Sequence, residues 1–401
     1  MRWTLTPILQ TLRGAVSGDF RPLEQLASKT WEIAPEEVRA VPPAFCLPGQ
    51  FDRVTQLSPF ASALEEERRL LQGYASSTHG ATRAFLIEDV VLADGVLYKG
   101  SARMHLHLRT RHIPPLVAEE EHRPSALYCS FSGNRYFGNW LIDDCAAYPL
   151  AREHGLPVGS SKAIAPSAQM LQYEALLDMR PHRCDQTWFK QLVVFQDVGQ
   201  NSHKHRRFKS LGDKLLRGRS WVEHPGVFIL RGQAGERRLL VNELQIAERL
   251  RLSRGFRILD PMNHSAAEIV EVCAGARAVV GVEGSQLVHG LMVLQPGGSL
   301  LTLQPPNRYC SLFKNLTDRD AQKFGIVVGT PVGDDFTIDP DEVERTLDLM
   351  EAGQPQATAL STTRSTTVSS TLSSREDCTE DTTPRVETAD ARSRLNASIS
   401  S

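Results

Sequence analysis

Glu283-Gly284-Ser285-Gln286 separates two apolar runs, 278–282 and 287–294, and is a turn suited to holding an anion. Gly284 and Ser285 let the backbone turn tightly and start a helix on Gln286. Unbonded N–H groups and the positive end of the helix dipole then point outward from the turn. A second constellation lies upstream, Arg135-Tyr136-Phe137-Gly138-Asn139-Trp140-Leu141-Ile142-Asp143-Asp144. Arg135, Asn139 and Asp143 fall near the start of a helix there, at the mouth of a cleft. The plainer alternative makes Trp140 core, Asn139 a cap and Asp143 first-turn charge. His105 and His107 sit two apart on a strand, with Arg109, Arg111 and His112 nearby. No third ligand stands beside them, so an exposed basic face is expected rather than a metal site. The run 201–207, Asn-Ser-His-Lys-His-Arg-Arg, reads as solvated basic surface unless it lies in a cleft.

The elements that position these groups become regular from about Pro225. Strand 227–230 ends at Arg231, and a polar loop 232–238 leads to Asn242, which should cap a helix to about 252 with Gln245 reaching back. Gly255 ends that helix and 256–259 is the next strand. Ser265-Ala-Ala-Glu268 is a capping-box signature for a helix to about 276. Strand 278–282, the loop at Glu283, a helix and strand 299–303 follow, with Pro296-Gly297-Gly298 closing the helix. Alternating strands and helices imply a parallel sheet whose ligands bind beyond the carboxyl ends of the strands. Arg231, Asp260 and Glu283-Gly284-Ser285 should therefore share one rim. Upstream, 83–87 and 89–92 read as two strands, and Asp94-Gly95 as a hairpin turn. The segment 61–72 reads as a solvated helix face.

Composition narrows the function classes. A net charge of -2 gives no global reason to bind nucleic acid. Seven cysteines, an odd number with no C-x-x-C, argue against a disulfide framework and a structural zinc site, so a cytoplasmic setting is expected. No window approaches the roughly twenty apolar residues of a membrane span, and the N-terminus makes a poor signal peptide. Membrane contact, if any, would be peripheral. The Ser/Thr-rich stretch 351–401 reads as a disordered tail.

The strand ending at Arg231, Arg237-Arg238 with Asn242-Glu243, Gly255-Phe256, Ser265–Glu268 and the 278–284 and 296–298 turns resemble glycosyltransferase family 61. So does the upstream segment Tyr136-Phe137-Gly138-Asn139-Trp140-Leu141-x-Asp143. The resemblance runs from about 127 to 303. It implies an α/β, GT-B-like architecture with two Rossmann-like lobes, their parallel sheets facing across a cleft. The lobes would be 1–210 on the acceptor side and 211–350 holding a nucleotide sugar, followed by the tail. It also implies inverting, metal-independent transfer of a sugar to a glycan or polysaccharide. Two departures stand out: the family commonly has a His-Gly-Ala-Gly turn where this chain has Glu283-Gly284-Ser285-Gln286, and a histidine where Asn139 stands. Asparagine cannot act as a general base, so any role of that histidine has moved or been lost.

Within that reading, Arg231 and Arg238 are the natural diphosphate clamps, because guanidinium forks match phosphate oxygens. The Gly284-Ser285 amides would supplement them. Glu283 would repel a diphosphate and better suits sugar or ribose hydroxyls. Asp143 or Asp144, facing from the other lobe, is the expected base. His289 is either a ligand contact or a satisfied core histidine. Asp318-x-Asp320 stands alone in a helix or loop and is not taken as a metal site. The alternatives are a non-catalytic scaffold relative and a Rossmann oxidoreductase, the latter lacking G-x-G-x-x-G.

Overall fold

The computed structural model describes residues 1–9, 21–108, 117–161, 166–232, 238–353 and 355. Over them the chain forms two main sheets, and the length of each connection decides how the strands pair. Asp94 and Gly95 adopt φ values of 50° and 74°, the geometry of a two-residue hairpin between Thr82–Ala93 and Val96–Lys99. The two strands expected on either side of Glu88 are one strand of 12 residues. Pairing with Thr187–Gln196 keeps one register on either side of Asp89, which sits at φ 52°.

Longer connections give parallel pairs. Ser125–Leu127, Leu156–Ser160 and His182–Cys184 run parallel, joined by helical crossovers long enough to reverse direction. The chain then returns as Thr187–Gln196 on the other side of Ser125–Leu127. The first sheet is thus ten-stranded and mixed, not the wholly parallel sheet expected for both lobes. Its strand order reverses between Ser125–Leu127 and Thr187–Gln196. The crossover from the first of these opens with Phe137–Asn139, widens into a π turn at Trp140–Asp144 and continues as Cys145–His154. Trp140, Leu141, Ala146 and Leu150 bury its inner face.

The second sheet is parallel throughout. Its strands are β1 (Val227–Ile229), β2 (Arg257–Leu259), β3 (Ala278–Val282), β4 (Ser299–Gln304) and β5 (Lys323–Val328), in the order β2-β1-β3-β4-β5. This is a doubly wound order with its reversal between β1 and β3. The crossovers are α1 (Glu243–Arg254), α2 (Ala266–Cys273), α3 (Leu287–Leu291) and α4 (Lys314–Arg319), and α5 (Pro340–Ala352) follows β5. Gly255 ends α1 in the left-handed conformation, and Ser265 and Glu268 cap α2 reciprocally. Asn242 stands at the N-cap of α1 without capping it. Its amide bonds instead to Ile338 O at 2.7 Å and Thr337 Oγ1 at 3.0 Å.

Two readings of charged surface hold only in part: Glu65, Glu66, Arg69 and Arg206 are exposed, but other charges turn inward. Glu67, on Leu64–Gln72, is 3% exposed and accepts from Ser62 N and Ser311. The basic run at 201–207 opens the helix Ser202–Leu216, whose Lys204 and Arg207 are buried. Each has a carboxylate within reach, which is what allows a cation to leave water. The N-terminal segment crosses to the second sheet: Phe45 exchanges backbone bonds with Phe324 and Ile326, and Arg53 forks Glu342 at 2.7 and 2.6 Å. One continuous apolar core includes Ala84 and Leu192 of the first sheet with Ile229, Val279 and Leu300 of the second. No helix among the described residues is long and apolar enough to cross a membrane.

Candidate active site

The reversal between β1 and β3 leaves a crevice at their carboxyl ends, and a cavity of about 380 Å³ opens there. Arg231, immediately after β1, and Glu283, Gly284 and Ser285, immediately after β3, form its floor. Glu243 fixes the Arg231 turn by accepting from the amides of Arg231 at 2.8 Å and Gly232 at 3.0 Å. Burial raises the Glu243 carboxyl above its ordinary range, and those two N–H groups oppose the rise. The Arg231 guanidinium lies against Gly284 and donates to Gln286 Oε1 at 3.2 Å. A Cβ on Gly284 would stand 2.0 Å from Arg231 Nη1, so this approach requires glycine.

Arg238 and Glu283, expected to serve phosphate and hydroxyl separately, are paired with each other. Arg238, largely shielded from solvent, reaches both the carboxylate of buried Glu283 and its main-chain oxygen. Arg308, from the loop after β4, and Arg135, from the upstream segment, line the same cavity. Among the described residues the wall carries four arginines against one carboxylate, a surface that favours a multiply charged anion. The helix α3 is only one turn, Leu287–Leu291, so side chains rather than its dipole supply most of that charge.

His289 is a packed histidine that also borders this cavity. It is 2% exposed, lies 4.9 Å from the Phe137 ring and stacks on Tyr173, whose hydroxyl is 2.7 Å from Nδ1. Burial pushes its pKa down to about 3, so the ring is neutral. Asp260 uses its carboxylate on Met262 N and Asn263, while Pro261 and Met262 line the cavity.

The upstream segment closes the opposite wall. Phe60 packs edge-on against Tyr136, and both line the cavity with Phe137 and Gly138. A Cβ on Gly138 would stand 3.0 Å from Ser285 Oγ, so the two segments touch. Asn139 follows, and it borders a second, larger cavity of about 770 Å³ as well. That cavity lies beyond the carboxyl ends of Ser125–Leu127 and Thr187–Gln196, at the reversal point of the first sheet. Phe85, Tyr128, Phe131 and Phe195 give it an aromatic lining.

Asp143 faces this second cavity. Asn139 Nδ2 donates to its Oδ2 at 3.2 Å and Lys204 Nζ to its Oδ1 at 2.8 Å. The π turn separates it from its neighbour: Asp144 is 1% exposed and accepts from Ser130 Oγ at 2.8 Å and Ser130 N at 3.2 Å. Burial drives the Asp144 carboxyl well above the ordinary range, and Ser130 opposes that. Asp144 therefore braces the turn after Ser125–Leu127. π turns of this kind recur at functional sites because they redirect one side chain without ending the helix.

The model of the family described as Glycosyltransferase 61 matches residues 98–301, just over half of the chain. The chain belongs to glycosyltransferase family 61. Membership implies a glycosyltransferase with a sugar donor and an acceptor as partners. A comparison with curated proteins gives no match. Asn139, Asp143, Lys204, Arg231, Arg238 and Glu283 lie within the family 61 stretch, and Arg308 beyond it.

Sequence reasoning brought Arg231, Arg238, Glu283, Gly284, Ser285 and His289 to one cavity, where the structure also has them. Asp143 and Asp144 border the other. It missed Lys204 and Arg308. Arg308 had a legible signal, a basic residue in the loop after a parallel strand; Lys204 had none, because only tertiary packing buries it. His105 borders the larger cavity, whereas His107 packs over Gly95. Arg109, Arg111, His112 and Arg237 lie outside the described residues, as does the tail except Pro355 beyond Gly353. Asp318 is bound to Lys314 at 2.7 Å, and burial raises its pKa to about 6.

Proposed function

We propose that this family 61 protein is an inverting glycosyltransferase that moves a sugar from a nucleotide sugar to a glycan or polysaccharide hydroxyl without a metal ion. The observation that carries the reading is Asn139, which borders an arginine-lined cavity on one side and a carboxylate-bearing, aromatic-lined cavity on the other. The donor would occupy the first, with Arg231 and Arg308 at its phosphates and its sugar toward Asn139. The acceptor would occupy the second, presenting a hydroxyl to Asp143. A GT-B-like arrangement of two facing lobes is the architecture this assumes.

Asp143 takes the hydroxyl proton as the acceptor oxygen bonds to the anomeric carbon from the side opposite the diphosphate. The anomeric C–O bond breaks and its electron pair departs with the nucleoside diphosphate. The arginines stabilise that charge where it develops. Glu283 reads donor hydroxyls once the diphosphate competes for Arg238. Calorimetric titration of nucleotide sugars with and without EDTA tests the reading. Saturable, EDTA-insensitive binding that Arg231→Ala abolishes is expected; no binding by any nucleotide sugar would overturn it. Asn139 in the position of a family histidine favours a second reading, a relative that binds donor without turnover. Donor binding with no transfer or donor hydrolysis would select it.

A further inference from the structure

We infer that Lys204 is a positioning residue for the transfer, holding Asp143 as an oriented carboxylate toward the acceptor cavity in a chain with asparagine at position 139. The inference rests on the reading of Asp143 as the base. Lys204 lies in the first turn of Ser202–Leu216, and its side chain is 4% exposed. Its ammonium donates to Asp143 Oδ1 and to Asp197 O, each at 2.8 Å. The turn that carries it is itself anchored: Asn201 Oδ1 accepts from Lys204 N at 3.0 Å, and Asn201 Nδ2 donates to Gly80 O and Thr82 Oγ1. Asn201 is fully buried, so the lysine is delivered from a fixed point on the first sheet.

The neighbouring charges leave Asp143 as this lysine's counterion. The Asp197 carboxylate is taken by Arg207, at 2.7 and 2.9 Å, leaving only its main-chain oxygen to Lys204. Asp144 adjoins Asp143 but turns into the Ser130 loop. Arg21, Glu24, Arg103 and His105 border the same cavity from the facing elements. Lys204 and Asn139 each donate to one oxygen of Asp143, whose carboxylate borders the second cavity, where an acceptor hydroxyl would meet it. A buried cation orients the carboxylate it pairs with strongly, because either charge alone would be costly to bury.

The test is the pH profile of transfer in Lys204→Met and Lys204→Arg, with Asp143 followed directly by NMR of carboxyl-labelled aspartate. Removing the cation makes the carboxylate easier to protonate, and a base is lost as pH falls through its pKa. The acidic limb of kcat/KM in Lys204→Met should therefore move up by about 1–3 on the pH scale, with donor KM unchanged. Lys204→Arg, which keeps the charge, should leave the limb near its wild-type position, and Asp143 should titrate in parallel by NMR. If Lys204→Met does not fold, Lys204→Gln carries the comparison with arginine. An unmoved limb and an unmoved Asp143 signal in the neutral variant would overturn the inference. Absence of transfer in the wild type would instead count against the base reading, while the NMR titration would still report whether Lys204 holds Asp143.

Discussion

Single residues in this protein are tied down by contacts that their neighbours in sequence do not announce. Gly284 is one: its missing Cβ is where the Arg231 guanidinium lies. Gly284→Ala should displace that guanidinium while leaving the buried core intact. Donor binding by calorimetry should weaken about tenfold, near 1.4 kcal/mol, and because Gly284 holds φ 155°, where an alanine is strained, thermal stability should fall by about 1–3 kcal/mol. His289 gives a pH prediction. Its folded pKa of about 3 lies below the ordinary 6.5, so the unfolded chain binds the proton that the native ring refuses. Stability is complete above pH 6.5 and falls as pH drops from 6.5 toward 3, by at most about 1.4 kcal/mol per pH unit from this group. His289→Phe should flatten that part of the stability–pH curve, measured by denaturant unfolding. It should also cost about 1–3 kcal/mol at neutral pH, because the Tyr173 hydroxyl loses its partner.

At the level of elements, two helix caps of similar chemistry sit in different surroundings. Ser265 caps α2 at the surface, in reciprocal bonds with Glu268. Ser265→Ala should cost about 1 kcal/mol, the usual value of such a cap. Asn201 caps Ser202–Leu216 while also donating to Gly80 O and to the buried Thr82 Oγ1. Asn201→Ala removes the cap and both of those bonds together, so its cost should be at least about twice as large. Chemical denaturation of the two variants side by side checks the ratio; equal costs would contradict the anchoring role given to Asn201. Element existence was legible wherever apolar periodicity and punctuation agreed, as in β3 and the Ser265–Glu268 box. Direction in the first sheet was not, because pairing there depends on which strand the chain returns to. Asn242 shows the same limit: its residue type suggested a cap, and packing against Thr337 and Ile338 assigned it elsewhere.

At the scale of the whole molecule, the two sheets share one apolar core and an N-terminal strap. Unfolding should therefore be a single calorimetric transition, in which a nucleotide sugar stabilises both sheets together. At one hundred times its dissociation constant the ligand should contribute about 2.7 kcal/mol. Two resolved transitions, only one of them moved by ligand, would contradict a common core.

The sequence by itself determined the second sheet, its capping signals and the rim on which Arg231 and Glu283-Gly284-Ser285 meet. Those features are written locally, in strand-length apolar runs, glycines and capping residues, and the rule for parallel sheets carries them to one place. Only the tertiary structure decided that Glu283 pairs with Arg238, that Asp143 pairs with Lys204 and Asn139 while Asp144 braces Ser130, and that Asn139 borders two cavities. It also decided that a basic stretch read as surface sends Lys204 inward to Asp143. Those charge pairings join residues far apart in the chain, 45 positions for Arg238 and Glu283 and 61 for Lys204 and Asp143, and no local pattern encodes such a distance.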